Sequence, residues 1–221
     1  IEEQGDRWIV GAGVRNVVLL SRLKKAERTG LGSLAGVPGL LGGAVRMNAG
    51  TYLGEIGEQV EWVEWVDQNG ILQHWDAEQL EFRYRRVNLP WTAMITRICV
   101  RTTTENWKEE SESIQKHLLR RKQTQPLNLP SCGSVFKNPE GDYAGRLIES
   151  LGLKGHRIGG AEISEKHANF IVNMDQASAM DVYQLIRLAR QKVYQETGFV
   201  LEPEVRPEGD WDKNLWPIDL D

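Results

Sequence analysis

Residues 39–50 read "GLLGGAVRMNAG", four glycines in twelve positions behind the lead-in "AGVP" (35–38). An ordinary helix is not expected there, because each interior glycine is about 1 kcal/mol less favourable than alanine. Nor does the stretch suit a strand core, since glycine brings no side chain to pack. Two readings stay open: a tight structural turn, or a loop whose bare backbone meets a ligand and offers it N–H groups. Arg46 and Asn48, polar residues inside a run of small ones, favour the ligand loop. It is neither a dinucleotide fingerprint nor a Walker loop, because the G-x-G-x-x-G spacing and the phosphate-binding lysine are missing.

A chain of 221 residues can bury a substantial core and suits one large or two modest domains. With a formal net charge of −4, it carries no broad basic face of the kind nucleic acid requires. Arg120-Arg121-Lys122 is a local cluster suited to a small anion. The two cysteines, Cys99 and Cys132, are too few for a disulfide framework and read as reduced thiols of a cytoplasmic protein. No apolar run approaches the ~20 residues that span a bilayer, and no secretory signal opens the chain. The chain begins "IEEQGDRW" at Ile1, with no start-like feature, so further N-terminal sequence is expected. Four histidines without a cysteine pair beside them give no metal site, and His167 reads as a satisfied loop or core residue.

Periodicity predicts an amphipathic helix over 14–29, with Val17, Val18, Leu20 and Leu23 as its apolar stripe and Gly30 and Gly32 ending it. "QVEWVEWV" (59–66) and "ILQHWDA" (71–77) read as strands around a hairpin at Asn69-Gly70, two residues that tolerate positive φ. Another strand is expected over 93–103 and a helix over 106–123, before Pro126 and Pro130 mark a boundary. Beyond it we expect a short helix over 142–151 with Asp142 as N-cap and Gly152 as its stop. "HANFIVNM" reads as a strand, and 176–197 as the longest helix, burying Val182, Leu185, Ile186, Ala189 and Val193 with Gly198 beyond it. "FVLEPEVRP" (199–207) reads as a last strand before an acidic, Trp-rich tail. The mixture of antiparallel hairpins and helices places the fold in the α+β class.

Three further stretches carry candidate chemistry. In "SCGSVFKNP" (131–139), Ser134 follows Gly133 and precedes Lys137-Asn138, so its hydroxyl is either a proton donor, a nucleophile or a plain capping group. The hydrolase elbow G-x-S-x-G is absent. In "LEPEVR" (201–206), Glu202 and Glu204 would share one face of a strand, either solvated or addressing a substrate. The arginines of "EFRYRR" (81–86) are surface residues or bidentate anion binders.

"LAGVPGLLGGAVRMNAGTYLGEI", "FRYRR", "PSCGSVFKNP", "LKGHRIGGAEISEKHANFIVN" and "LEPEVR" occur in this order. The set closely resembles the UDP-N-acetylenolpyruvoylglucosamine reductase (MurB) family, in its compact subtype, from about residue 10 to residue 206. The resemblance implies a partial FAD-binding domain of the vanillyl-alcohol-oxidase-like (VAO/PCMH) class followed by the MurB C-terminal substrate-binding domain. Residues 1–104 would form the second lobe of the FAD-binding domain, its first lobe absent. A connecting helix would occupy 105–125 and the substrate domain 126–200, with 201–221 a returning strand and acidic tail. The tail "PEGDWDKNLWPIDLD" departs from the family ending.

In such a family NADPH reduces FAD, and hydride passes to the enolpyruvyl ether of UDP-N-acetylglucosamine to give UDP-N-acetylmuramate for peptidoglycan. By the resemblance, Arg85 and Glu204 polarise the substrate carboxylate and stabilise the enolic intermediate, with Glu204 acting as a protonated acid of raised pKa. Ser134 matches the proton donor. Gly39, Gly42, Gly43, Ala44, Asn48 and Gly50 match the flavin cradle, and Lys122, Asn138, Lys154 and Arg206 surround the diphosphate and sugar. A cytoplasmic monomer acting on a small molecule, without metal, membrane or nucleic acid, is expected. Competing readings are another flavin oxidoreductase of the same fold and a non-catalytic nucleotide-sugar-binding remnant.

Overall fold

The computed structural model describes residues 1–212 and Leu215. The chain divides into two compact units, Ile1–Arg120 and Arg121–Asp221. In chain order the first holds β1 (Glu2–Gln4), β2 (Arg7–Gly11), α1 (Asn16–Lys25), α2 (Leu41–Arg46), β3 (Gly50–Thr51), β4 (Gly54–Glu55), β5 (Val60–Val66), β6 (Leu72–Asp76), α3 (Ala77–Leu80) and β7 (Met94–Arg101). α4 (Trp107–Thr124) then carries the chain into the second unit.

A five-stranded antiparallel sheet, in the order β1-β2-β7-β5-β6, organises the first unit. In "VEWVEWV", strict alternation would put Val60 and Val63 on opposite faces. A register shift against β7 between Val60 and Trp62 adds one residue, so Val60, Val63 and Trp65 all reach the core. They meet Val10, Leu19, Leu31, Leu34, Leu41, Ile56 and Ile98, every one fully buried. Each such side chain contributes about 1.5–3 kcal/mol on burial. The hairpin at Asn69-Gly70 forms, but only Gly70 takes positive φ (79°); Asp67 accepts the N–H of Gly70 and, through Oδ1, those of Asn69 and Ile71.

Two local expectations change. The first helix spans only Asn16–Lys25, stopping before Gly30, with Glu27 left-handed at φ 51°. It buries Leu19 and Leu23, whereas Val17 is 62% exposed, so the stripe is rotated by about one residue from the predicted one. The glycine-rich stretch contains a helix after all: α2. Leu41, Ala44 and Val45 drive it, pressing one face into the core at i, i+3 and i+4. Gly42 sits in that helix because a Cβ there would come 2.9 Å from Cβ of Ala12. Tertiary burial outweighs the poor helix propensity of two glycines.

The second unit contains β8 (Ser131–Ser134), α5 (Ala144–Ser150), β9 (Arg157–Ile158), β10 (Ala161–Ile163), β11 (Phe170–Asn173) and α6 (Ala179–Thr197). Its antiparallel sheet runs β8-β11-β10-β9. α6 buries Leu185, Ile186, Ala189 and Val193 as predicted, with Tyr183 fully covered and Val182 only partly. Ser178 and Asp181 cap one another reciprocally, and Gly198 closes the helix at φ 75°. Asp142 is not the N-cap of α5: Tyr143 holds that place, and Asn138 Oδ1 accepts the N–H of Ala144. Asp142 instead pairs with Arg146 and accepts the N–H of Tyr143, which together lower its pKa to about 2.

"FVLEPEVRP" forms no strand; a single bridge joins Pro203 to Phe136. Trp211 packs edge-on against Tyr183, ring centroids 5.7 Å apart, which seats the start of the tail on α6. The rest of the tail expectation falls on Lys213, Asn214 and 216–221, outside the described residues. Among the described residues no helix is long and apolar enough to cross a membrane, and no cluster of His, Cys, Asp or Glu is placed to hold a metal.

Both cysteines carry free thiols, Cys99 buried and Cys132 exposed. Burial, aided by the carboxylate of Glu61, pushes the Cys99 thiol up to about 11. Alkylation of the native protein at pH 8 is therefore expected to mark Cys132 and spare Cys99, read by peptide mass spectrometry. Equal labelling of both would show that the core around β7 opens.

Candidate active site

In the first unit, the candidate arginine belongs to a tight turn. Arg83 and Arg86 exchange both backbone hydrogen bonds at 2.9 Å, with Tyr84 and Arg85 between them. Arg85 occupies the third turn position at φ 54°, a place where glycine is the undemanding residue. An arginine held there carries on the order of 1 kcal/mol of backbone strain, a mark of functional positions. Its guanidinium is tied inward: Nη1 donates to Asn48 O at 3.4 Å and Nη2 to Gly50 O at 3.1 Å. The Tyr84 ring lies 4.9 Å from Cζ, and Glu55 Oε1 is 3.6 Å from Nη1.

The end of the glycine-rich stretch thus supports Arg85. Asn48 is 1% exposed and uses both ends of its amide. Nδ2 donates to Glu55 Oε2 at 2.6 Å and to Arg83 O at 2.9 Å, while Oδ1 accepts the N–H of Gly57 at 3.0 Å. Gly57 permits this approach, because a Cβ there would lie 2.8 Å from Asn48 Oδ1 and 2.5 Å from the Phe82 ring. Arg46, which favoured a ligand loop in the sequence, spends its guanidinium on the carbonyls of Leu89, Pro90 and Ala93.

The predicted cofactor residues divide accordingly. A Cβ built on Gly39 or Gly43 meets nothing within 4 Å, so their backbone faces open space. Gly36, Pro38 and Gly39 border a groove of about 620 Å³ shared with α1 and α4, lined by Leu20, Val37 and Ile114 among others. Gly39, at the edge of this groove, leaves its backbone open to a bound group, as a flavin site would need. Gly42, Ala44, Asn48 and Gly50 face inward: Gly42 against Ala12, Ala44 in the core, Asn48 in its hydrogen bonds, Gly50 against the carbonyl of Gly54.

In the second unit, β8 delivers Ser134 half-buried beside β11, paired with Phe170. The next three residues are held on both sides. Facing one way, Lys137 N–H donates to Glu202 O at 2.9 Å and Glu204 N–H to Val135 O at 2.7 Å. Pro203 lies opposite Phe136 at the one position in this register where no N–H is needed, so the proline is accommodated. Facing the other way, Asn169 Oδ1 accepts the N–H of Phe136 at 2.9 Å and its Nδ2 donates to Phe136 O at 2.8 Å. Asn169, 4% exposed, acts as a substitute strand partner. Glu204 is thereby set opposite Val135, on the segment that faces the residues following Ser134.

The predicted diphosphate and sugar residues are dispersed over the second unit. Lys122 is exposed on α4, its carbonyl accepting from Lys166 Nζ at 2.6 Å. Asn138 caps α5, Lys154 pairs with Glu149 at 2.7 Å, and Arg206 is exposed beyond Val205. Lys137 gives its ammonium to Glu202 at 2.5 Å. His167 is satisfied: Nδ1 accepts the N–H of Asn169 at 3.2 Å, and burial with nearby Lys154 lowers its pKa. Glu55, Gly57 and Asn169 were not singled out in the sequence. The only signal for Asn169 is a polar residue inside the apolar run "ANFIV".

Replacing Asn48 by alanine leaves the Gly57 N–H and Arg83 carbonyl without their side-chain partner, and Asn169→Ala does the same at Phe136. At about 1–3 kcal/mol per buried group, each variant is expected to lose roughly 2–6 kcal/mol of stability. Denaturant melts check this; losses below about 0.5 kcal/mol, the range of ordinary surface changes, would contradict the assigned bonds.

Residues 125–207 match the model of the UDP-N-acetylenolpyruvoylglucosamine reductase C-terminal domain. UDP-N-acetylenolpyruvoylglucosamine reductases of Anaeromyxobacter sp. (strain Fw109-5) and Synechococcus sp. (strain JA-3-3Ab) are 45% and 44% identical to it. The alignments take in 94% and 96% of this chain and 65% and 69% of those proteins. The chain thus spans about two thirds of the length of these curated relatives, and 76% of the one from Thermotoga petrophila, at 44% identity. The crystal structure of the reductase (MurB) from Thermus caldophilus superposes with a TM-score of 0.81 at 39% identity, covering 92% of this chain and 73% of that one. The chain belongs to the UDP-N-acetylenolpyruvoylglucosamine reductase family.

Proposed function

We propose that this chain takes part in the NADPH-dependent reduction of UDP-N-acetylglucosamine enolpyruvate to UDP-N-acetylmuramate, in the cytoplasm. The observation that carries the reading is the pairing of the Val135–Lys137 and Glu202–Glu204 segments, which sets Glu204 opposite Val135, the residue that follows Ser134. FAD bound here and reduced by NADPH would supply the hydride. Hydride enters the terminal vinyl carbon, and the double-bond electron pair moves to the carbon bearing the carboxylate. Arg85 and a protonated Glu204 stabilise the enolic charge that develops there. Ser134 then delivers a proton to that carbon, completing the lactyl ether.

Gly39 and Gly43 offer bare backbone to the flavin, and Asn48 supports the segment behind them. Lys122, Asn138, Lys154 and Arg206 are assigned to the diphosphate and sugar. The Lys154–Glu149 pair is partly exposed and worth about 1 kcal/mol or less, so a diphosphate displaces the carboxylate at modest cost. The two free thiols support a reducing compartment.

A yellow preparation bleached by NADPH and recoloured by the enolpyruvyl substrate is the expected result. A colourless protein that still binds the UDP-sugar would point to a non-catalytic binding role instead. Ser134→Ala is expected to slow recolouring by substrate about 10²–10⁴-fold, the usual contribution of a general acid, with bleaching by NADPH nearly intact. Equal losses in both half-reactions, measured by stopped flow, would contradict the proton-donor role.

A further inference from the structure

We propose that Glu55 is a positioning residue of the reaction, acting on substrate through Arg85. The inference rests on the reading of Arg85 given above and adds the group that aims it. Three contacts single out this carboxylate. Oε2 accepts the buried Nδ2 of Asn48 at 2.6 Å, and Oε1 lies 3.6 Å from Arg85 Nη1. The third comes from Glu58: its backbone N–H donates to the Glu55 side chain, while its own Oε1 accepts the Glu55 N–H at 3.0 Å. The Glu55 side chain is 28% exposed and that of Arg85 18%.

A carboxylate fixed by a buried amide and by its own backbone turn does not follow the arginine; the arginine follows it. Arg85 gains from such a constraint, because a long side chain on a strained positive-φ backbone still has several rotatable bonds to fix. Two carbonyl acceptors, Asn48 O and Gly50 O, orient the guanidinium, and Glu55 places a negative charge 3.6 Å from Nη1. Asn48 links all of it, since one residue gives an amide to Glu55 and a carbonyl to Arg85. The plane of the guanidinium is therefore set before substrate arrives, which is how a catalytic charge avoids reorganisation during the reaction.

Glu55→Gln keeps an acceptor for Asn48 and removes the charge beside Arg85. Two readouts apply. In ¹⁵N-labelled protein without flavin or substrate, rotation of the Arg85 guanidinium is expected to quicken. In the flavin-loaded protein, reoxidation by substrate is expected to slow between about tenfold and a hundredfold, with reduction by NADPH unchanged. Glu55→Asp, which keeps charge and shortens reach, is expected to fall between wild type and Glu55→Gln in both readouts, and serves if the glutamine variant folds poorly. Unchanged rotation, or quicker rotation with the substrate step intact, overturns the proposal. Arg85→Ala separates the two levels: if it too leaves the substrate step intact, the reading of Arg85 itself has failed.

Discussion

The side-chain amide of Asn48, buried to 1% exposure, is the constraint on which the first unit's candidate site depends. Both of its donors and its oxygen are engaged, with Glu55, Arg83 and Gly57. Glu55 and Gly57 belong to one continuous segment and Arg83 to a separate turn, so the amide ties the two together. An unpaired buried amide is expensive, so the arrangement is all or none. It holds Arg85 in a left-handed turn position that the chain would otherwise relax away from. Strain at that residue and saturation at its neighbour are two sides of one device.

Asn169 does the equivalent work in the second unit. Its amide reads the N–H and C=O of Phe136 as a neighbouring strand would, while the 202–204 segment satisfies the other edge. A short piece of backbone carrying Ser134 at its start is therefore fixed without a long strand on either side. In both units rigidity comes from a buried asparagine rather than from sheet extension. This suits segments that must leave one surface open to a ligand.

Much of this was legible in the sequence where local rules decide. Gly198 closes α6 where the sequence places its stop, because capping depends on neighbours within a few residues. The ordered motifs assign roles to Arg85, Ser134 and Glu204 through family resemblance alone. Other features were settled by distant partners and carry no local sign. α2 is helical although two of its six residues are glycine, since Leu41, Ala44 and Val45 find a core to enter. "LEPEVR" reads as a strand, yet Pro203 and the short facing segment limit it to one bridge. Glu55 and Asn169 matter through hydrogen bonds to residues 7 to 33 positions away, and no periodicity announces such a bond. The glycines likewise separate only in space, Gly39 and Gly43 facing open volume while Gly42 and Gly50 serve packing.

The central claim is that these preorganised groups serve hydride addition followed by protonation of the carbon bearing the carboxylate. Turnover of the enolpyruvyl substrate with NADPH in D₂O tests it most directly, with the product examined by NMR. The account predicts a lactyl ether of single configuration carrying solvent deuterium at the carbon next to the carboxylate. Product without deuterium at that carbon, or an epimeric mixture there, would contradict it.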